Sequence, residues 1–278
     1  MKTQETLYIQ PVFDWYQFTT QTNIREIEQI LEPVAAGEPF HMEAPKLKGY
    51  KWASKVGGKG GSCLIHYGGK NGDAYGPNVA GTGPMAIPVS ELFRATKLPH
   101  SVGRADVRQD FLGDFIKSRG LFIGRLNDAG MATSDAGSCP ESIKQLGRTV
   151  YGGSRSSAYQ PTLYEKGLQL GEGFPANYLR LEHRFSFSKA HEKQTLSQLT
   201  PSQMVGLRPV ARSLSEILVE LQVEPYKIGQ LPKDKDAYYW MLRQYRTVLL
   251  QMIDDQGASG MGHQIAMDLS EIEPEMEH

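Results

Sequence analysis

RADVRQDF, residues 104–111, alternates charged and uncharged residues at every step. In an extended chain Arg104, Asp106, Arg108 and Asp110 fall on one side, and Ala105, Val107, Gln109 and Phe111 on the other. A period of two predicts a strand with one apolar and one charged face. A second stretch, YLRLEHRF at 178–185, repeats the pattern. Arg180, Glu182 and Arg184 share one face, and Leu181, His183 and Phe185 the other. If the two strands lie in one sheet, Glu182 joins Asp106 and Asp110 among arginines. Such a face has two readings. It is a solvated surface laced with ion pairs, or a set of carboxylates for a hard divalent cation.

Outward from these strands, the N-terminal half reads as more strands with a few helices. Residues 7–20 read as a strand whose Pro11 points to an edge or a bulge. YKWASKV and SCLIHY flank a glycine-rich hairpin tip. Asn23, with Glu26 three residues on, marks a capped helix along which Ile24, Ile27, Leu31 and Val34 share a face. Residues 68–84 read as a glycine-rich loop or irregular edge strand. Residues 88–98 read as a short helix with Ser90 as a possible cap. DFIKSRG closes a helix at Gly120, and LFIGRLN, RTVYGG and YQPTLYEK read as strands around a polar loop containing Cys139. After Ser188 apolar residues recur at three- and four-residue spacing, with Pro209 as a break. The expectation is an α+β chain, mainly antiparallel sheet with packed helices. Residues 1–190 form its sheet domain, 191–256 a helical region packed on it, and 257–278 an acidic, flexible tail.

Composition narrows the class. No apolar run reaches the roughly 20 residues of a membrane span, and the first residues lack the pattern of a secretory leader. Two cysteines give neither a disulfide framework nor a Cys-x-x-Cys metal site. A cytoplasmic protein is expected. Net charge is −1, yet the acids concentrate at the C-terminal end. The remaining body is mildly basic, a distribution that suits a nucleic-acid partner. GGKGGS and GGKNGD lack the Gly-Lys-Ser/Thr of a phosphate loop, and none of the seven histidines forms a local metal pair.

YGGSRSSAYQPTLYEKG, residues 151–167, carries the candidate nucleophile. If strand geometry runs through its end, Tyr164 and Lys166 share a face. A phenol is a weak nucleophile at neutral pH unless a cation stabilises its anion. Lys166 and a carboxylate-held metal would do that. The plain alternative is a strand tyrosine filling the core.

Tyr-x-Gly-Ser-Arg-x-Ser, then Leu-Tyr-acid-Lys-Gly, then Arg-Leu-Glu resembles the replication initiation factor family (Rep_trans), the rolling-circle initiators of phages and plasmids. RADVRQDF resembles that family's Arg-x-Asp-x-x-x-Asp strand, and DWYQFT its opening strand. The resemblance implies an origin-nicking and joining enzyme. Tyr164 would attack a phosphodiester, taking the 5′ phosphate and leaving a free 3′-OH. Mg²⁺ or Mn²⁺ would be held by Asp106 and Glu182, with Asp110 as a further candidate. Lys166, Arg180 and Arg155 would offset phosphate charge, with Arg104 and Arg184 as further DNA contacts. Implied partners are origin DNA, single-stranded or supercoiled, a host helicase and polymerase, and a second copy of the chain. Arg208 and Arg212 are candidate origin readers. The family usually has an arginine two residues before the tyrosine; here Thr162 stands there, after Pro161. A non-catalytic DNA-binding regulator of the same ancestry is the alternative.

Overall fold

The computed structural model describes residues 9–58, 60–96, 98–136, 147–227 and 246–271. Ten antiparallel strands form one sheet: β1 (Val12–Thr20), β2 (His41–Glu43), β3 (Trp52–Gly58), β4 (Gly61–Tyr67), β5 (Asn78–Thr82), β6 (His100–Leu112), β7 (Thr133–Ala136), β8 (Thr149–Gly152), β9 (Tyr159–Tyr164) and β10 (Tyr178–Ser186). Their spatial order is β2-β3-β4-β5-β1-β6-β10-β9-β8-β7. The two charge-alternating strands, β6 and β10, are neighbours near the centre. Their register sets opposite charges level: Arg180 with Asp110, Glu182 with Arg108, and Arg184 with Asp106.

The helices are α1 (Ile24–Ala35), α2 (Gly69–Tyr75), α3 (Ala86–Thr96), α4 (Phe115–Asp128), α5 (Lys166–Leu170), α6 (Ala190–Leu196), α7 (Pro201–Gly206), α8 (Pro209–Val219) and α9 (Arg246–Glu271). The Asn23 cap forms as expected, its side chain accepting from the Glu26 amide at 3.0 Å. Ile27 and Leu31 of α1 pack fully buried with Phe13, Phe18 and Val107 of the sheet. Each such side chain contributes about 1.5–3 kcal/mol. A second cluster joins Phe122 and Leu126 of α4 and Leu214 of α8 to Leu163, Leu179 and Leu181. Helices therefore cover the apolar face of the central strands, an α+β arrangement. The charged side chains of β6 and β10 belong to the opposite face, where Arg104 and Arg184 are the more exposed and Arg108, Asp110 and Arg180 are buried.

Several expectations need correction. LFIGRLN is not a strand but the second half of α4, which runs through Gly120; Phe115, Ser118, Phe122 and Leu126 are buried at helical spacing. That packing outweighs the ~1 kcal/mol an interior glycine costs. Residues 78–82 form β5, between β4 and β1 rather than at an edge. Ser90 lies inside α3, donating to the Ile87 carbonyl, and caps nothing. Pro11 precedes a central strand that carries a register shift between Phe13 and Trp15. Pro209 does break the helix, opening α8 after α7 ends.

The chain divides into two units, Met1–Ile228 and Gly229–His278. α6, α7 and α8 thus belong with the sheet, and the division falls well beyond residue 190. In the second unit α9 continues to Glu271 across a non-helical Gly257 (φ 73°), so residues 258–271, expected as a loose tail, are helical. Cys139 and the start of the expected C-terminal helix lie outside the described residues. Among the described residues no helix is long and apolar enough to cross a membrane.

Candidate active site

On the open face β9, β10, β6 and β1 bring together a tyrosine, four carboxylates and four arginines. Tyr164 ends β9, level with Arg180 of β10. Its hydroxyl lies 3.4 Å from Glu182 Oε2. Glu182 is in turn near Asp106 and Asp14, whose negative charges add to burial in pushing its pKa up to about 7. Tyr164 is 8 % exposed. Burial, reinforced by the Glu182 charge, raises its phenol well above the ordinary value, and Arg180 pulls the other way.

The arginines divide into two kinds. Arg180 is buried, its Nε donating to Asp110 Oδ1 at 2.6 Å and its Nη2 to Oδ2 at 3.2 Å and to the Tyr178 hydroxyl at 3.1 Å. Arg108 is also buried and meets Asp14 at 2.8 Å. Arg104 and Arg184 sit at the rim, with side chains 30 % exposed above an Asp106 side chain at 5 %. Arg104 grips Asp106 with two donors. Arg184 lies 3.5 Å from Asp106 and 3.6 Å from Glu182, and donates to Gln160 at 3.0 Å.

Asp106, Glu182, Asp110, Arg104, Arg180, Arg184 and Tyr164 therefore converge as expected, with two changes of role. Asp110 is fully buried in a two-pronged pair with Arg180, so it does not fit a metal. Arg180 is 1 % exposed and braces Asp110 and Tyr164 rather than facing solvent. Lys166 is not on the strand: β9 ends at Tyr164, and Lys166 opens α5. Arg155 is exposed in the β8–β9 turn, at the opposite end of β9 from Tyr164.

Three residues of the site carry no motif signal. Asp14 reaches the charged face through the register shift in β1. Tyr178 supports Arg180. Arg148 clamps the residue after the tyrosine: its amide, Nε and Nη2 contact Glu165 at 2.8, 2.9 and 2.6 Å. Glu165 is 5 % exposed, and the hydrogen bonds from Arg148 hold its carboxyl below the ordinary value against burial. An arginine directly before a strand was the only available hint for Arg148.

Pro161 is accommodated without an edge. β9 lies between β10 and β8, and the β8–β9 ladder stops at Tyr151 opposite Thr162, one residue short of the proline. Gly152 follows there, and a Cβ on it would meet Leu126 at 2.5 Å and Pro161 at 2.8 Å.

The fit for a divalent cation is partial. Among the described residues no three His, Cys, Asp or Glu are grouped to hold a metal ion. Burial first, then the negative charges of Asp106 and Asp14, lift the Glu182 pKa, a strain that a cation between Glu182 and Asp106 would relieve. Magnesium characteristically takes one or two protein carboxylates and fills its shell with water and substrate phosphate.

Beneath the site, on the helix-covered face, the Tyr159 hydroxyl donates to His183 Nδ1 at 2.8 Å. His183 Nε2 then donates to Gln109 Oε1 at 3.1 Å, which also accepts from Ser215 Oγ at 2.6 Å. Burial pushes His183 down to about 3, so it is a neutral strut. Tyr159, facing away from Tyr164, belongs to this core.

The fold is similar to that of a solved rolling circle replication initiator protein from Geobacillus stearothermophilus. The match has a TM-score of 0.56 and 19 % identity, and covers 78 % of this chain and 99 % of that one. No family model matches the chain. No curated protein matches it either.

Proposed function

We propose that the chain is a rolling-circle replication initiator that cuts one DNA strand through Tyr164. The observation that carries this reading is the approach of the Tyr164 hydroxyl to Glu182, beside Asp106, on an open sheet face. The likeness in fold to a rolling-circle initiator supports it. Tyr164 Oη attacks the phosphorus of a scissile phosphodiester and its proton passes to Glu182 Oε2, 3.4 Å away. The P–O3′ bond breaks, leaving a 5′ phosphate esterified to Tyr164, and the departing 3′ oxygen takes that proton back from Glu182 to become a free 3′-OH. Rejoining is the reverse attack by a 3′-OH on the phosphotyrosine.

Asp106 and Glu182 are the residues we assign to Mg²⁺ or Mn²⁺. When bound, the ion would supply positive charge to polarise the phosphate. Arg184 and Arg104 meet neighbouring phosphates from the rim, and Lys166 adds positive charge from the first turn of α5. Arg180 positions Tyr164 and does not touch DNA. Origin DNA, a host polymerase and helicase, and a second copy of the chain complete the proposed reaction, because rejoining needs a second strand transfer.

A second reading, a DNA-binding regulator without nicking activity, is favoured by the low exposure and raised pKa of Tyr164. One experiment separates them: supercoiled cognate replicon DNA is incubated with Mn²⁺ and either wild type or Tyr164→Phe. A relaxed product and a covalent 5′ adduct with wild type alone support nicking. Equal nicking by both removes Tyr164, and DNA binding without nicking leaves the regulator.

A further inference from the structure

We propose that the indole of Trp15 is a stacking platform for one base of a single strand lying across the open sheet face, with Gln17 beside it meeting that base's edge; this rests on the strand-nicking reading above. The other aromatic residues of β1, Phe13, Tyr16 and Phe18, are buried at 1 % exposure or less in the helix-covered core. Trp15 is not. The register shift after Phe13 sets it opposite Asp106, half-buried on the face that carries the candidate site. A tryptophan that served only the core would have gone with its neighbours.

The ring is held on one face, and the proposed base stacks on the other. The Arg104 guanidinium lies over it, 4.4 Å from the ring centroid, and is itself fixed by two donors to Asp106. The indole Nε1 donates to Gln17 Oε1 at 3.2 Å, and Gln17 Nε2 donates to Asn78 Oδ1 at 3.1 Å. Ring and amide are thus held as one unit from three strands. Stacking on aromatic rings, together with a positively charged track, is how sheet surfaces take single strands without a duplex groove, and a side-chain amide is a standard reader of a base edge. The outward charge has the right sign, because the most exposed charged side chains at this rim are Arg104 and Arg184, at 30 %, against 21 % for Asp14, 14 % for Glu182 and 5 % for Asp106. From Glu182 to Trp15 is two strands across and two residues along, about 12 Å at ordinary strand spacings. That places the platform within a few nucleotides of the cut.

The test uses the full chain with a fluorescent oligothymidylate and an abasic strand of equal length, which carry the same phosphates but differ in bases. Wild type should bind the oligothymidylate about tenfold more tightly than the abasic strand, the scale of one base stacked on one ring. Trp15→Leu should lose that preference and Trp15→Phe should keep most of it. Retention of the full preference by Trp15→Leu overturns the platform and leaves nicking by Tyr164 standing. Wild type that binds neither strand overturns both. A second measurement needs no variant: photocrosslinking of a 5-iodouracil strand to wild type, mapped by mass spectrometry. A crosslink at Trp15 supports the platform, and crosslinks only elsewhere overturn it.

Discussion

Tyr164 and Glu182 meet diagonally. Their backbones are not partners, since Tyr164 stands level with Arg180 and Glu182 with Thr162, yet their side chains lean together until the hydroxyl is 3.4 Å from the carboxylate. Tyr164→Phe should therefore abolish nicking and the covalent adduct while costing about 1–2 kcal/mol of stability, because it removes the long contact to Glu182 and the hydrogen bond with Arg180. Gel assay of supercoiled DNA and a denaturant melt of the same preparation check the two halves.

Glu182 predicts a pH profile. Its folded pKa is raised from 4.5 to about 7, so the folded state holds a proton that the unfolded state releases over that window. Its contribution to stability is present below pH 4.5 and is lost as pH rises through about 7. Nicking needs the ionised form and should fall on the acid side, with an apparent pKa below 7 in Mn²⁺, because a bound cation favours the carboxylate. His183 acts oppositely: lowered from 6.5 to about 3, it contributes stability above 6.5 that is lost as pH falls through about 3. The two slopes oppose each other between 4.5 and 6.5. Melts of Glu182→Gln should gain stability with rising pH there more steeply than wild type.

The cation assignment predicts a thermal shift independent of activity. Mn²⁺ at a hundredfold excess over its Kd should stabilise wild type by about 2.7 kcal/mol at neutral pH. Asp106→Asn and Glu182→Gln should lose most of that gain. Asp110→Asn should lower the melting temperature without metal, by breaking the pair with Arg180, and should keep the gain. A gain that vanishes only in Asp110→Asn would reassign the site.

Arg148→Ala should cost about 2 kcal/mol, since it strips the charged donors from the nearly buried Glu165. It should also slow nicking by loosening the turn after Tyr164. Lysine at 148 should restore part of the stability, because it returns one donor of the two.

Tyr159→Phe should leave both nicking and rejoining intact, since its hydroxyl serves His183 on the helix-covered face. The lost donor to buried His183 Nδ1 should destabilise the fold by about 1–3 kcal/mol. Loss of rejoining alone in this variant would make Tyr159 a second nucleophile.

The strands with strict alternation were legible because their period leaves one geometry; their pairing and register, which set opposite charges level, came only with the structure. Asp14 and Trp15 were not, because a register shift is a local exception to period two. Strict alternation would have placed Asp14 in phase with Tyr16, in the core. A lone acid among Phe13, Trp15 and Tyr16 was the signal, and Pro11 had already pointed to a bulge. Lys166 was misplaced by extending β9 two residues too far, where Arg148 and Glu165 turn the chain. LFIGRLN misled because Gly120 looks like a stop, and only the packing of Phe122 and Leu126 reveals that the helix continues.

The charge ladder of β6 and β10 also acts as a check on assembly. In the native register Arg180, Glu182 and Arg184 each meet an opposite charge. A slip of two residues one way would set Arg180 against Arg108, Glu182 against Asp106 and Arg184 against Arg104. A slip the other way would set Glu182 against Asp110 and Arg184 against Arg108. A slip of one would drive Glu182 into the apolar core and turn His183 outward. Slips of two are opposed by like charges and a slip of one by burial of a carboxylate, so the charges that build the candidate site also select the native docking of its two central strands during folding.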